Sequence, residues 1–335
     1  MRIHVGIAVL ALLLPAAPAG AQPFPLPQEL RDAIADRIQE RESMIRNRGS
    51  GVVGLFGYNM IPDGSANALQ LNRTTASGEE DSTLTLGQLG TGFTWGESFP
   101  LYTEGYIGYA RYDPRMVFSA GEASRGSLQS WNNLAMTLGV GWDFALTENL
   151  FIRPIINGSV GYATSDLSLF GSFLQWRRGM DLPGLSDRHV NVWGAGGSLV
   201  LAYYDYRPER DIDVELRYTQ LRIQTFGDTV PVARGRATAE SVGLWTRYRW
   251  PTGREAWGRP IRWVLEGNAS AYLGDQADVL GFSWSAKVGG GIEFETARWE
   301  LGAFGINLNR LRLIGRYFFG ENNVTGYSIG IGMSF

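Results

Sequence analysis

Counted back from the C-terminus, every second residue is large and apolar: Phe335, Met333, Ile331, Ile329 and Tyr327. Between them stand Ser334, Gly332, Gly330, Ser328 and Gly326. Side chains alternate faces along a strand, so this stretch predicts a strand with one greasy face and one face of small polar groups. The final strand of a transmembrane barrel has this pattern and ends on an interfacial aromatic.

The same alternation recurs along the chain. It predicts strands over 51–60, 83–96, 101–112, 131–145, 150–163, 190–206, 210–224, 237–250, 260–273, 282–296, 299–317 and 324–335. The breaks at 97–100, 146–149, 207–209 and 297–298 are short, while those at 61–82, 113–130, 164–189 and 225–236 are long. Short turns face the periplasm and long loops face outside in bacterial barrels, which predicts both ends of the barrel on the periplasmic side. In the fourth strand Leu134, Met136, Leu138, Val140, Trp142 and Phe144 oppose Asn133, Thr137, Gly139, Gly141 and Asp143. In the tenth, Phe282, Trp284, Ala286, Val288, Ile292 and Phe294 oppose Ser283, Ser285, Lys287, Glu293 and Glu295. The eleventh is less regular, because Asn307 and Asn309 share a face with Leu301 and Leu311, which points to a bulge or a misplaced boundary.

A soluble barrel would put the charge outside. The aromatics decide between the two arrangements. Trp95, Phe99, Trp142, Phe144, Phe151, Tyr206, Trp250, Trp257, Trp299 and Phe335 all fall near the predicted periplasmic end, where the intermediate break at 251–259 joins the short turns. A ring of amphipathic aromatics at one level is an interfacial girdle.

The N-terminus follows another rule. Residues 1–21 read as a secretory signal, with Arg2, an apolar core over 5–14, and Ala19-Gly20-Ala21 as the cleavage site. Pro23, Pro25 and Pro27 delay any helix until Gln28. Over 28–48, Leu30, Ile34, Ile38 and Ile45 form a narrow apolar stripe on a densely charged segment that Gly49 and Gly51 end. So polar a surface fits a polar lumen and predicts a luminal helix. The expected organisation is signal peptide 1–21, linker and amphipathic helix 22–50, and barrel 51–335.

Composition narrows the function classes. The mean hydropathy is slightly negative and no apolar run reaches the roughly 20 residues of a membrane helix, as expected where strand alternation hides the greasy face. A net charge of −3 argues against nucleic-acid binding. With no cysteine, disulfides and thiolate metal sites are excluded. No cluster has metal-ligand spacing and no cofactor motif is present.

Candidate chemistry lies on the predicted inner face. Arg153, Arg217, Arg247, Arg249, Arg262 and Lys287 face Asp143, Asp213, Glu215, Glu266, Glu293 and Glu295. Charges of both signs in a narrow lumen can pair with one another and with a helix, or set the selectivity of a pore. His189 is the one histidine beyond the signal. With Asp187 and Ser186 before it, at an outer rim, it is the residue that a hydrolase reading must use.

With a helix, twelve strands and the ending Gly326-Tyr-Ser-Ile-Gly-Ile-Gly-Met-Ser-Phe335 in view, residues 28–335 resemble the translocator β-domain of bacterial autotransporters. Met333 departs from the aromatic common at its position in that family. The resemblance implies a closed antiparallel β-barrel of about twelve strands, with a helix in its lumen, in the outer membrane. It implies contact with outer-membrane lipid and lipopolysaccharide. It also implies recognition of the last strand, through Tyr327, Ile329, Ile331, Met333 and Phe335, by the barrel assembly machinery. Only Gln22–Pro27 lie between the cleavage site and the helix, so the expectation is a solitary barrel without a secreted passenger, acting as a plugged or narrow pore. The alternative is a structural or surface-interaction barrel working through its outer loops, and the third reading is the rim hydrolase.

Overall fold

The structure, a computed structural model, describes residues 53, 56–61, 67–74, 80–112, 131–165, 189–229, 234–256, 258–280, 282–296, 302–303, 306–307 and 309–334. Twelve long strands build the wall: β1 (Asn67–Thr74), β2 (Glu80–Thr94), β3 (Leu101–Tyr112), β4 (Trp131–Trp142), β5 (Leu150–Ser165) and β6 (His189–Arg207). They continue as β7 (Arg210–Phe226), β8 (Arg236–Ala256), β9 (Arg259–Leu273), β10 (Trp284–Glu295), β11 (Arg310–Gly320) and β12 (Val324–Ser334). Each pairs antiparallel with its neighbours in sequence. The ring closes where β12 meets β1, with Gly330 opposite Asn67 and Val324 opposite Arg73. Closure leaves no edge strand with bare backbone groups, the condition for a sheet to cross a bilayer.

Burial alternates along the strands as their sequences do. On β4, Asn133, Ala135 and Thr137 are buried while Leu134, Met136, Leu138 and Val140 face outward and are exposed. Ile156 on β5 is 79% exposed and Ile329 on β12 is 67% exposed. A continuous apolar outer face around a polar interior is stable in lipid and costly in water, so this is a membrane-spanning barrel. Trp95, Phe99, Phe144 and Tyr206 are exposed near the short-turn end. There Phe99 packs edge-on to Trp142, with ring centroids 5.3 Å apart.

Four expectations change. Residues 56–60, expected as part of a strand over 51–60, are helical, as is Val53. Val53, Phe56 and Met60 recur at i, i+3 and i+7, a helical period, and all three are fully buried. The first wall strand is instead β1, inside the stretch expected as a loop over 61–82. The two-residue turn expected at 297–298 is a longer connection, carrying the small hairpin Gly302–Ala303 and Ile306–Asn307. The eleventh strand accordingly begins at Arg310 rather than at 299. The expected signal (1–21), the helix over 28–48 and Phe335 lie outside the described residues.

Candidate functional site: a lumen filled in three layers

The helical turn at 56–60 sits within the wall at its long-loop half. Val53, Phe56 and Met60 pack against Ala135, Ala163, Val190, Val192, Leu221, Ile223, Ala237 and Ala239, small and branched residues from the inner faces of β4 to β8. The wall is shaped for this turn. A Cβ on Gly161 would lie 2.5 Å from the Phe56 ring, and one on Gly108 would lie 2.0 Å from the Asn59 side-chain oxygen. Hydrogen bonds fix the seat. Asn59 Nδ2 donates to the Gly108 carbonyl at 3.0 Å and to Asn133 Oδ1 at 3.1 Å. Gln88 Nε2 donates to the carbonyls of Asn59 and Ile61 at 3.2 and 3.1 Å. The Thr137 hydroxyl donates to the Met60 carbonyl at 2.8 Å.

Beside the turn, the short helix α1 (Asp275–Leu280) covers the same end. Asp275 accepts the Thr238 N–H at 2.9 Å, tying α1 to β8. Leu280, Phe282, Phe318, Val324, Leu86 and Ala110 form a second apolar cluster there, with Tyr58 and Ala277 packed on it.

Next to these two clusters lies a polar chamber of about 80 Å³, lined by Tyr58, Tyr102, Tyr106 and Tyr272, by Trp245, and by Gln88, Asn268 and Gln276. Its charged side chains are Arg217 and Glu215. Arg217 grips Glu104 with two nitrogens at 2.7 and 2.8 Å, and Asn157 Nδ2 donates to the same carboxylate at 2.7 Å. Glu215 accepts the Tyr204 hydroxyl at 2.5 Å.

The third layer is ionic and lies toward the short turns. Glu266 bridges Arg247 (2.6 Å) and Arg316 (2.5 Å). Asp213 meets Arg249 (3.0 Å) and Arg247 (3.5 Å), and Asp211 meets Arg262 and Arg310, both at 2.7 Å. Glu293 meets Arg312 (2.8 Å) and Arg249 (3.4 Å). Six guanidinium groups and four carboxylates thus cross-link β7 to β11 through the interior. Asp143 pairs with Arg153, whose guanidinium lies 3.9 Å from the Tyr102 ring centroid. Buried pairs of this kind add little net stability over apolar packing, but removing one partner strands the other.

Of the expected lumen residues, Arg153, Arg247, Arg249, Lys287, Asp213, Glu266 and Glu293 are buried on the inner face. Arg217, Glu215 and Arg262 make the inner contacts described above. Glu295 is exposed at the end of β10. Sequence reasoning missed Glu104, Arg310, Arg312 and Arg316. The last three alternate with Leu311, Leu313 and Tyr317 from Arg310 onward, a signal that a strand beginning at 299 hides. His189 opens β6 at the long-loop end, half-buried and stacked on Tyr162 at 5.8 Å between ring centroids. Asp187 and Ser186 lie outside the described residues. Tyr327, Ile329 and Ile331 face outward, exposed, on β12.

No protein-family model matches the chain, and no curated protein matches it. Among solved structures, the chain is similar to the β domain of the Bordetella autotransporter BrkA, at 12% identity and a TM-score of 0.44 over 81% of this chain and 98% of that one. It is similar to the transport unit of the autotransporter AIDA-I from Escherichia coli, at 13% identity and a TM-score of 0.41 over 87% and 99%. It is also similar to the translocator domain of the autotransporter NalP from Neisseria meningitidis, at 13% identity and a TM-score of 0.39 over 92% and 98%.

Proposed function

We propose that this chain is an autotransporter-like outer-membrane barrel that works as a plugged pore, closed at rest by its own luminal turn and ionic layer. The observation that carries this reading is the seat of residues 59–61. Gln88, Thr137 and the Gly108 carbonyl, on three different wall strands, hold that backbone and the Asn59 side chain across the lumen. A wall whose glycines leave room for one particular helical turn is organised around a closed state. The apolar outer face supports residence in the outer membrane, among its lipids and lipopolysaccharide. The outward row Tyr327, Ile329 and Ile331 on the closing strand suits recognition by the barrel assembly machinery.

Single-channel conductance in a planar bilayer tests the reading. The mature protein is compared with a variant lacking residues 23–61 and with the point variant Gly161→Leu, whose new side chain competes with Phe56 for its space. The expected result is a closed wild type and a conducting state in both variants. Variants that insert and stay as silent as wild type refute the plug.

A further inference from the structure

We propose that the luminal chamber is a binding site for a small neutral polyol, and that Gln276 is the residue that recognises it. The inference goes beyond closure of the pore and does not depend on conduction.

Gln276 carries the argument. It is fully buried on α1 and lines the chamber, yet neither its Oε1 nor its Nε2 has a hydrogen-bond partner among the described residues. Buried amide groups are almost always satisfied, and one that is not, beside a cavity, marks where a ligand's polar atoms belong. An amide offers a donor and an acceptor side by side, the complement of two adjacent hydroxyl groups.

The charge state of the wall turns away an anionic partner. The ionised groups that reach the chamber, Arg217 and Glu215, are engaged with Glu104 and Tyr204. An anionic ligand would have to break the Arg217–Glu104 pair, whereas a neutral polyol leaves it intact. Tyrosine rings and Trp245 supply apolar faces for the carbon skeleton of a polyol. About 80 Å³ of space suits a molecule of glycerol size and is small for a disaccharide.

Saturation-transfer NMR on the refolded mature protein in detergent micelles, with glycerol as the probe, tests this. Two variants address the site from different sides. Gln276→Leu removes the amide, and Ser241→Leu leaves α1 intact but fills the chamber from β8. Ile156→Val, on the lipid face, supplies the baseline for contact with the outside of the barrel. The expected result is a glycerol signal in wild type and Ile156→Val, with affinity roughly tenfold weaker in Gln276→Leu, the usual effect of deleting a hydrogen-bonding partner inside a site, and the signal lost in Ser241→Leu, whose side chain takes the space. Equal signals in all four proteins overturn the proposal. A signal from urea without one from glycerol overturns it too, because the site would then read an amide and not a polyol.

Discussion

The Thr137 hydroxyl donates a hydrogen bond of 2.8 Å to the carbonyl oxygen of Met60, so a wall strand holds the last residue of the helical turn inside the lumen. The same hydroxyl lies 2.8 Å from Ser159 Oγ on the next strand. Thr137→Val keeps the shape and deletes both contacts. One net hydrogen bond is worth about 0.5–1.5 kcal/mol, too little to unfold a barrel but enough to shift a docking equilibrium several-fold. Brief openings in single-channel records should become roughly three- to tenfold more frequent, with thermal stability little changed. An unchanged opening frequency would mean that the turn is not what closes the lumen.

Glu266 is the carboxylate that Arg247 and Arg316 share. Glu266→Gln keeps the shape and removes the charge, leaving the buried Arg316 guanidinium without its counter-ion and Arg247 with only Asp213 at 3.5 Å. The expected destabilisation is about 3–5 kcal/mol, measured by urea unfolding in lipid vesicles. Adding Arg316→Met to that variant should restore part of the loss, since one stranded charge goes with it. If the double variant loses as much as the two single losses added together, or more, the pair is not coupled as the geometry implies.

The barrel was legible in the sequence because a two-sided wall must alternate. Leu134 to Val140 on β4 show it, and so do Tyr327 to Ile331 on β12. The errors fall where alternation carries no weight. Val53, Phe56 and Met60 belong to a segment surrounded by protein, so only helical spacing marked it, and a short apolar run between glycines reads equally well as a strand. β1 carries the sequence NALQLNRT, polar enough to pass for a loop. The ionic layer was half legible. Arg247 and Glu266 lie on clean strands, while Arg312 and Arg316 were hidden by the misplaced start of β11. The chamber could not be read at all, because it joins β2, β3, β7, β8, β9 and α1 across the lumen, and no local pattern encodes that meeting.

Leu138 projects from β4 to the outside and is 54% exposed among other apolar side chains. If that face meets hydrocarbon, Leu138→Arg should cost about 2–4 kcal/mol in vesicle unfolding, the known range for arginine near the bilayer midplane. In water the same change would be close to neutral. An unaltered unfolding midpoint would therefore place this band outside the bilayer and remove the membrane-spanning reading of β4.

At the long-loop end, Glu321 follows β11 in the one-turn segment Glu321–Asn323. Its Oε2 accepts both the Ser283 N–H, at 2.7 Å, and the Ser283 hydroxyl, at 2.6 Å. These two donors favour the carboxylate and hold the Glu321 carboxyl below its ordinary value. A carboxyl lowered in the folded state stabilises fully above its unfolded pKa, near 4.3, and loses that contribution as pH falls through the lower folded value. Acid should therefore release the tether between this segment and the start of β10. The Ser283 amide, followed by hydrogen exchange and corrected for intrinsic rate, should be protected at neutral pH and lose protection below about pH 4. Glu321→Gln keeps an acceptor oxygen but cannot titrate, so its Ser283 amide should show weaker protection with no step in that range. The same acid step in both proteins would assign the pH response to another group.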